Sequence, residues 1–152
     1  MTDARTVTVL TPCYNEAENV QALYERVRAV FAGLDGYVYE HLFIDNASSD
    51  STVDILRTIA AADRQVKVIV NTRNFGHVRS PYYGLLQCHG DAVIGLAADL
   101  QDPPELIPVF LEKWRAGYKV VLGVKAAARE SAVMFALRRI GYAVIDRLSE
   151  VK

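Results

Sequence analysis

Four polar clusters in this chain gather residue types that hold cations and nucleotides. Asp99, Gln101 and Asp102 place two carboxylates and an amide in one short stretch, a set suited to a hard cation and a phosphate-bearing ligand. Tyr14 and Glu16 offer an aromatic ring and a carboxylate, Asp45, Asn46, Ser48 and Ser49 a carboxylate, an amide and two hydroxyls, and Asn74 a further amide. Together they could hold a nucleobase and ribose by stacking and hydrogen bonding, and a diphosphate through a metal ion. Taken singly, each cluster also reads as a helix cap with solvated acids. Their placement by the secondary structure decides between the two.

The apolar pattern supplies that placement. Residues 6–11 (TVTVLT) form a β-branched run and a first strand, and Pro12-Cys13-Tyr14-Asn15-Glu16 is the turn after it. Asn15 is read as the cap of the next helix, with Glu18 at the matching third position. Val20, Leu23, Tyr24, Val27, Val30 and Phe31 recur at helical spacing, and Gly33 and Gly36 end that helix. Residues 37–44 form a second strand and lead into the cluster at 45–52. Val53, Ile55, Leu56 and Ile59 then supply a helix face. Residues 66–70 form a third strand, followed by a polar loop at 71–77. A helix after that loop starts at Ser80-Pro81 or, in the alternative, at His77 with a kink at Pro81.

Residues 92–96 (AVIGL) read as a strand covered on both faces. Asp102 then caps a helix with Pro103 at its first position, running to about Ala116 and ending at Gly117. Residues 119–124 are expected to be a fifth strand and 130–151 a long helix with an apolar stripe of Val133, Leu137, Ile140, Val144, Ile145 and Leu148. Alternating strands and helices predict an α/β domain with a mainly parallel sheet. In such sheets ligands bind beyond the carboxyl ends of the strands, and all four clusters fall at that edge.

Composition narrows the function classes. At 152 residues the chain is one domain or most of one. A net charge of −1 gives no basic footprint for nucleic acid. Cys13 and Cys88 lie in apolar surroundings and read as reduced thiols rather than a disulfide. No signal peptide and no membrane-spanning run is evident, so the expected location is the cytoplasm or the cytoplasmic face of a membrane. There is no GxGxxG, GxxxxGK[ST] or GxSxG motif, which argues against a dinucleotide enzyme, a P-loop protein and an α/β hydrolase.

The four clusters resemble the motifs of family 2 inverting glycosyltransferases with the GT-A fold, and are most similar to those of the dolichol- and polyprenyl-phosphate sugar transferases. Pro12-Cys13-Tyr14-Asn15-Glu16 matches P-x-Y-N-E, and Asp45-Asn46-Ala47-Ser48-Ser49-Asp50-Ser51-Thr52 matches D-D-G-S-x-D-x-T. Arg73-Asn74-Phe75-Gly76-His77 matches R-N-x-G-H, and Ala97-Ala98-Asp99-Leu100-Gln101-Asp102-Pro103-Pro104-Glu105 matches D-A-D-L-Q-D-P-P-E. The resemblance implies a three-layer Rossmann-like sandwich truncated at its C-terminus. Residues 1–128 would be the nucleotide-sugar-binding domain, and 129–152 an amphipathic helix opening an acceptor-side region. It implies that Pro12, Tyr14, Glu16, Asp45, Asn46, Ser48, Asn74 and Asp99 bind the nucleotide. Asp99 would serve catalysis, and Asp99 with Gln101 would hold Mg²⁺ or Mn²⁺.

The implied reaction moves a sugar from a UDP- or GDP-linked donor, with inversion, to a polyprenyl or dolichyl phosphate or to a saccharide. A lipid phosphate, already anionic near neutral pH, needs no general base, whereas a sugar hydroxyl does. Three departures stand out: Asn46 replaces the second Asp of the D-D pair, Ala97 replaces the first Asp of D-x-D, and the acceptor-side motifs do not follow. A non-catalytic or degenerate nucleotide-sugar-binding module is therefore the alternative. The apolar stripe of 130–151 would lie on an anionic membrane surface or pack against the sheet or a second copy in a homodimer.

Overall fold

The computed structural model describes residues 4–124 together with Arg139 and Arg147. The chain divides into two compact units, residues 1–119 and 120–152. The helix expected over 130–151 lies outside the described residues, apart from Arg139 and Arg147, both helical. No helix among the described residues is long and apolar enough to cross a membrane.

In the first unit the elements alternate as expected: β1 (Arg5–Cys13), α1 (Val20–Ala32), β2 (Tyr37–Asp45), α2 (Thr52–Ala62), β3 (Val66–Val70), α3 (Gly76–Leu86), β4 (Ala92–Gly95), a 3₁₀ turn (Pro104–Leu106) and α4 (Ile107–Arg115). The four strands form one sheet in the order β3-β2-β1-β4, and every pairing is parallel. The order reverses at β1, between β2 and β4, which opens the crevice in which parallel sheets bind ligands.

The period of two along β1 sends its residues to opposite faces. Val7, Val9 and Cys13 join Tyr39 and Phe43 of β2, Leu23 and Val27 of α1, Leu56 and Ile59 of α2, and Ile107 and Leu111 of α4 in the larger core. Leu10 joins Leu42 and Ile44 in a smaller core on the other face, where α3 lies. Only Ser80 and Gly84 of α3 are buried. A Cβ added at Gly84 would come within 2.9 Å of Leu10 Cδ1 and 3.1 Å of Ile44 Cγ2, so the missing side chain lets the helix approach the sheet closely.

Several local expectations are corrected. β1 runs on through Pro12 and Cys13, because the backbone of Pro12 and Cys13 stays in register with Ile44 and Asp45. Among the described residues β4 pairs with β1 alone; only its Ile94 is buried, and Val93 is 38% exposed, while α3 covers the β1–β2 side of the sheet. α3 starts at Gly76 with Pro81 inside it, the alternative reading. The turn after β4 starts at Pro104 with Pro103 in the cap position. Residues 119–124 form no strand. Val120, Leu122 and Val124 alternate as a strand would, yet all three are exposed and no neighbouring strand pairs their backbone among the described residues. An apolar alternation alone does not make a strand.

Candidate functional site

The loops that follow β1 and β2 are tied together backbone to side chain. Asn15 N donates to Ser48 Oγ at 2.8 Å, and Ser49 N donates back to Asn15 Oδ1 at 2.8 Å. Glu16 N donates to Thr52 Oγ1 at 2.9 Å and Ala17 N to Asp50 Oδ2 at 3.2 Å. Asn15 has a left-handed φ of 55° and spends its side chain on Ser49, so it does not cap α1 as expected. Asn19 takes the cap position, and its Nδ2 donates to Glu16 Oε2 at 2.7 Å.

Asp45 is fully buried at the end of β2. Its carboxylate accepts from Ser48 N at 2.9 Å and from Ser48 Oγ, which leaves lone pairs on both oxygens. Asp50 is held below the usual carboxylate range, first by the Thr52 hydroxyl and then by backbone N–H groups. Beneath the loops, burial pushes the Cys13 thiol far up, helped by Asp45 and Glu16. It is free but protonated, a core group rather than a nucleophile, and Cys88 is also free.

The loop after β3 is anchored on Asn46, which is 7% exposed. Asn46 Nδ2 donates to Asn74 Oδ1 at 2.9 Å and to Gly76 O at 3.3 Å. Asn46 Oδ1 accepts from Phe75 N at 2.9 Å and from Asn71 Nδ2 at 3.2 Å. Asn71 also reaches Ser80 Oγ at 2.9 Å, which carries the network into α3. The Arg73 guanidinium lies 4.8 Å from the Phe75 ring centroid.

The fourth cluster follows β4, which pairs directly with β1. Leu100 has a left-handed φ of 59°, and Asp99 Oδ1 accepts from Gln101 N at 3.1 Å. Asp99, Gln101 and Asp102 are exposed. Arg26 of α1 grips the turn behind them, with Nε and Nη2 on the two oxygens of Glu105 at 2.9 and 2.6 Å. That fork holds the Glu105 carboxyl below its ordinary range.

The structure thus brings Glu16, Asp45, Ser48, Asn46 and Asn74 into two hydrogen-bonded groups at one edge of the sheet, with Pro12 and the half-exposed Tyr14 on the β1 side and Asp99 and Gln101 beyond β4. Sequence reasoning misses Arg26 and Asn71 and reads Ser80 only as the start of a helix, whereas it is buried inside α3 and accepts from Asn71. Nothing in the helical pattern of α1 marks Arg26, because its partner lies across the fold; Asn71 stood in the expected polar loop but without a role.

The protein matches the model of glycosyl transferase family 2 over residues 8–142. The chain belongs to this family. It is 35% identical to an uncharacterized glycosyltransferase of Synechocystis sp. over 96% of its own length and 46% of the relative's. It is 39% identical to a bactoprenol glucosyl transferase of Shigella phage SfV over 79% of the chain and 39% of that protein. It is also 39% identical to an undecaprenyl-phosphate 4-deoxy-4-formamido-L-arabinose transferase of Pseudomonas fluorescens, over 83% and 37%. The chain spans less than half the length of these relatives.

Among solved structures it resembles a mannosyltransferase of Pyrobaculum calidifontis in complex with GDP-Man and Mn²⁺, with a TM-score of 0.62 and 25% identity over 75% of this chain and 33% of that one. Its fold also matches a glucosyl-3-phosphoglycerate synthase of Mycobacterium tuberculosis, with a TM-score of 0.60 and 24% identity over 97% and 52%. The parallel sheet with flanking helices is the α/β fold of GT-A glycosyltransferases.

Proposed function

We propose that this chain forms the donor side of a glycosyltransferase that moves a sugar, with inversion, from a nucleoside diphosphate to a polyprenyl phosphate. The observation that carries the reading is the interlocked edge at the β1/β4 switch point, where Tyr14, Asp45, Ser48 and Asn74 stand on crosslinked loops beside Asp99 and Gln101. The relatives named for bactoprenol and undecaprenyl phosphate support the acceptor class.

In this reading the exposed Tyr14 ring stacks on the base. Asp45, buried beneath the loop, fixes Ser48 through its bonds to Ser48 N and Oγ, and Ser48 and Glu16 meet the ribose. Among the described residues no three His, Cys, Asp or Glu side chains group as a ready-made metal site. The donor set nevertheless fits Mg²⁺ or Mn²⁺ held by the Asp99 carboxylate with Gln101, because such an ion completes its shell from substrate phosphates and water. When bound, the ion neutralises the charge that grows on the departing diphosphate. Asp99 fixes that position, and the attacking lipid phosphate, with a second pKa of about 6 by analogy with phosphorylated side chains, is already anionic.

Calorimetric titration with UDP and with GDP, each with and without Mn²⁺, tests the reading. Metal-dependent binding of one nucleotide, weakened at least about tenfold in Asp99→Ala, is expected, since a lost charged ligand costs more than a neutral hydrogen bond. Absence of binding by either nucleotide overturns it.

A further inference from the structure

We propose that Asn46 is a positioning residue for the donor site: its amide, rather than a carboxylate, is what holds the loop at 71–76 in place to present Asn74. The inference rests on the donor-site reading above. A primary amide has two N–H donors and two acceptor lone pairs. Asn46 uses all four inside the protein, on Asn74 Oδ1, Gly76 O, Phe75 N and Asn71 Nδ2. Its side chain therefore reaches a ligand only through the loop it holds.

The family motif has Asp at this position, and here the geometry rejects it. A carboxylate oxygen in place of Nδ2 would face two acceptors, Asn74 Oδ1 and Gly76 O. Asn74 cannot simply turn its amide round to donate, because its Oδ1 also accepts from Gly76 N at 2.8 Å. With 7% of the residue exposed, water has little room to take over the lost bonds, and buried groups left unpaired are costly. Asn46→Asp, which restores the family's D-D pair, should therefore loosen the loop and weaken nucleotide binding.

The test measures amide hydrogen exchange at Phe75 and Gly76 by NMR, and UDP and GDP affinity by calorimetry, in the wild type and in N46D. Expected are lost protection at both amides and affinity lower by about tenfold, the size of one buried hydrogen bond. Burial and the two facing acceptors push the new carboxyl's pKa up, so the deficit relative to wild type should narrow as the pH falls toward 5, where its protonation returns one O–H donor. Unchanged protection, equal or tighter binding by N46D, or a deficit flat with pH each overturns the proposal. If N46D does not fold, Asn71→Ala takes its place: partial loss of protection at Phe75 with weaker binding supports the proposal, and no change overturns it. Wild-type protein that binds neither nucleotide overturns the donor-site reading and the link to Asn46 with it; the exchange data then report on the loop alone.

Discussion

Asn15, Ala47 and Leu100 hold left-handed backbone, with φ of 55°, 64° and 59°. Each stands in a different loop at the carboxyl edge of the sheet. Left-handed backbone costs an ordinary L-residue about 1–2 kcal/mol, and such strain gathers where loops must aim side chains. Asn15 recovers part of the cost through its bonds with Ser49, and Leu100 through packing against the core. Ala47 has neither of these. Ala47→Gly should raise stability by about 0.5–1 kcal/mol, the relieved strain being partly offset by the greater freedom of glycine in the unfolded chain. The shift of the urea midpoint, with the slope unchanged, checks it. Alanine itself carries no mark of its backbone angle; the sign in the sequence is that Ala47 stands where the D-D-G-S-x-D-x-T pattern has glycine.

The strands and helices were read most surely where one face alone decides them. The apolar positions of α1 are those of its buried face, with Val20, Leu23, Tyr24, Val27 and Phe31 all buried. The ends were read less well, because tertiary bonds set them: β1 runs on because β2 pairs with Pro12 and Cys13, and α3 starts early beside a loop held by Asn46 and Asn71. The AVIGL run suggested a doubly covered strand, yet within β4 only Ile94 is buried, since apolar content cannot say which strand the helices cover. Two glycines here separate the roles. A Cβ on Gly90 would meet Thr8 N at 2.6 Å and Ala92 O at 2.9 Å, whereas one on Gly95 meets nothing within 4 Å. Gly90→Ala should destabilise by about 1–3 kcal/mol through forced backbone shifts, while Gly95→Ala should be neutral or slightly stabilising. Thermal unfolding of the two variants side by side tests the contrast.

For the molecule taken together, the gathering of the clusters was legible because a parallel α/β sheet must bring its strand ends to one edge. The interior wiring was not, and His41 shows why. It looked like one more residue of an apolar strand, yet it is fully buried, stacked on Phe43, with Nε2 3.0 Å from Thr11 Oγ1 and Nδ1 without a hydrogen-bond partner among the described residues. Burial pushes its pKa down to about 3, against about 6.5 in an unfolded chain. The folded protein therefore binds fewer protons than the unfolded one between these values. The stability His41 preserves at neutral pH is lost as the pH falls below the unfolded value. The wild type should lose about 2 kcal/mol between pH 7 and pH 5 from this group, and His41→Gln should flatten that part of the profile in urea titrations at each pH.

The central place of β1 also has a consequence for how the chain acquires its shape. β1 joins β2 early in the sequence, but its other edge waits for β4, and the bond from Thr6 N to Asp91 Oδ2 spans 85 residues. Closing so long a loop before the pairing rewards it makes this the slow event of assembly. During synthesis from the N-terminus, β1 keeps one open edge until β4 emerges, and through that interval an intermediate of this protein is most exposed to pairing with the wrong chain.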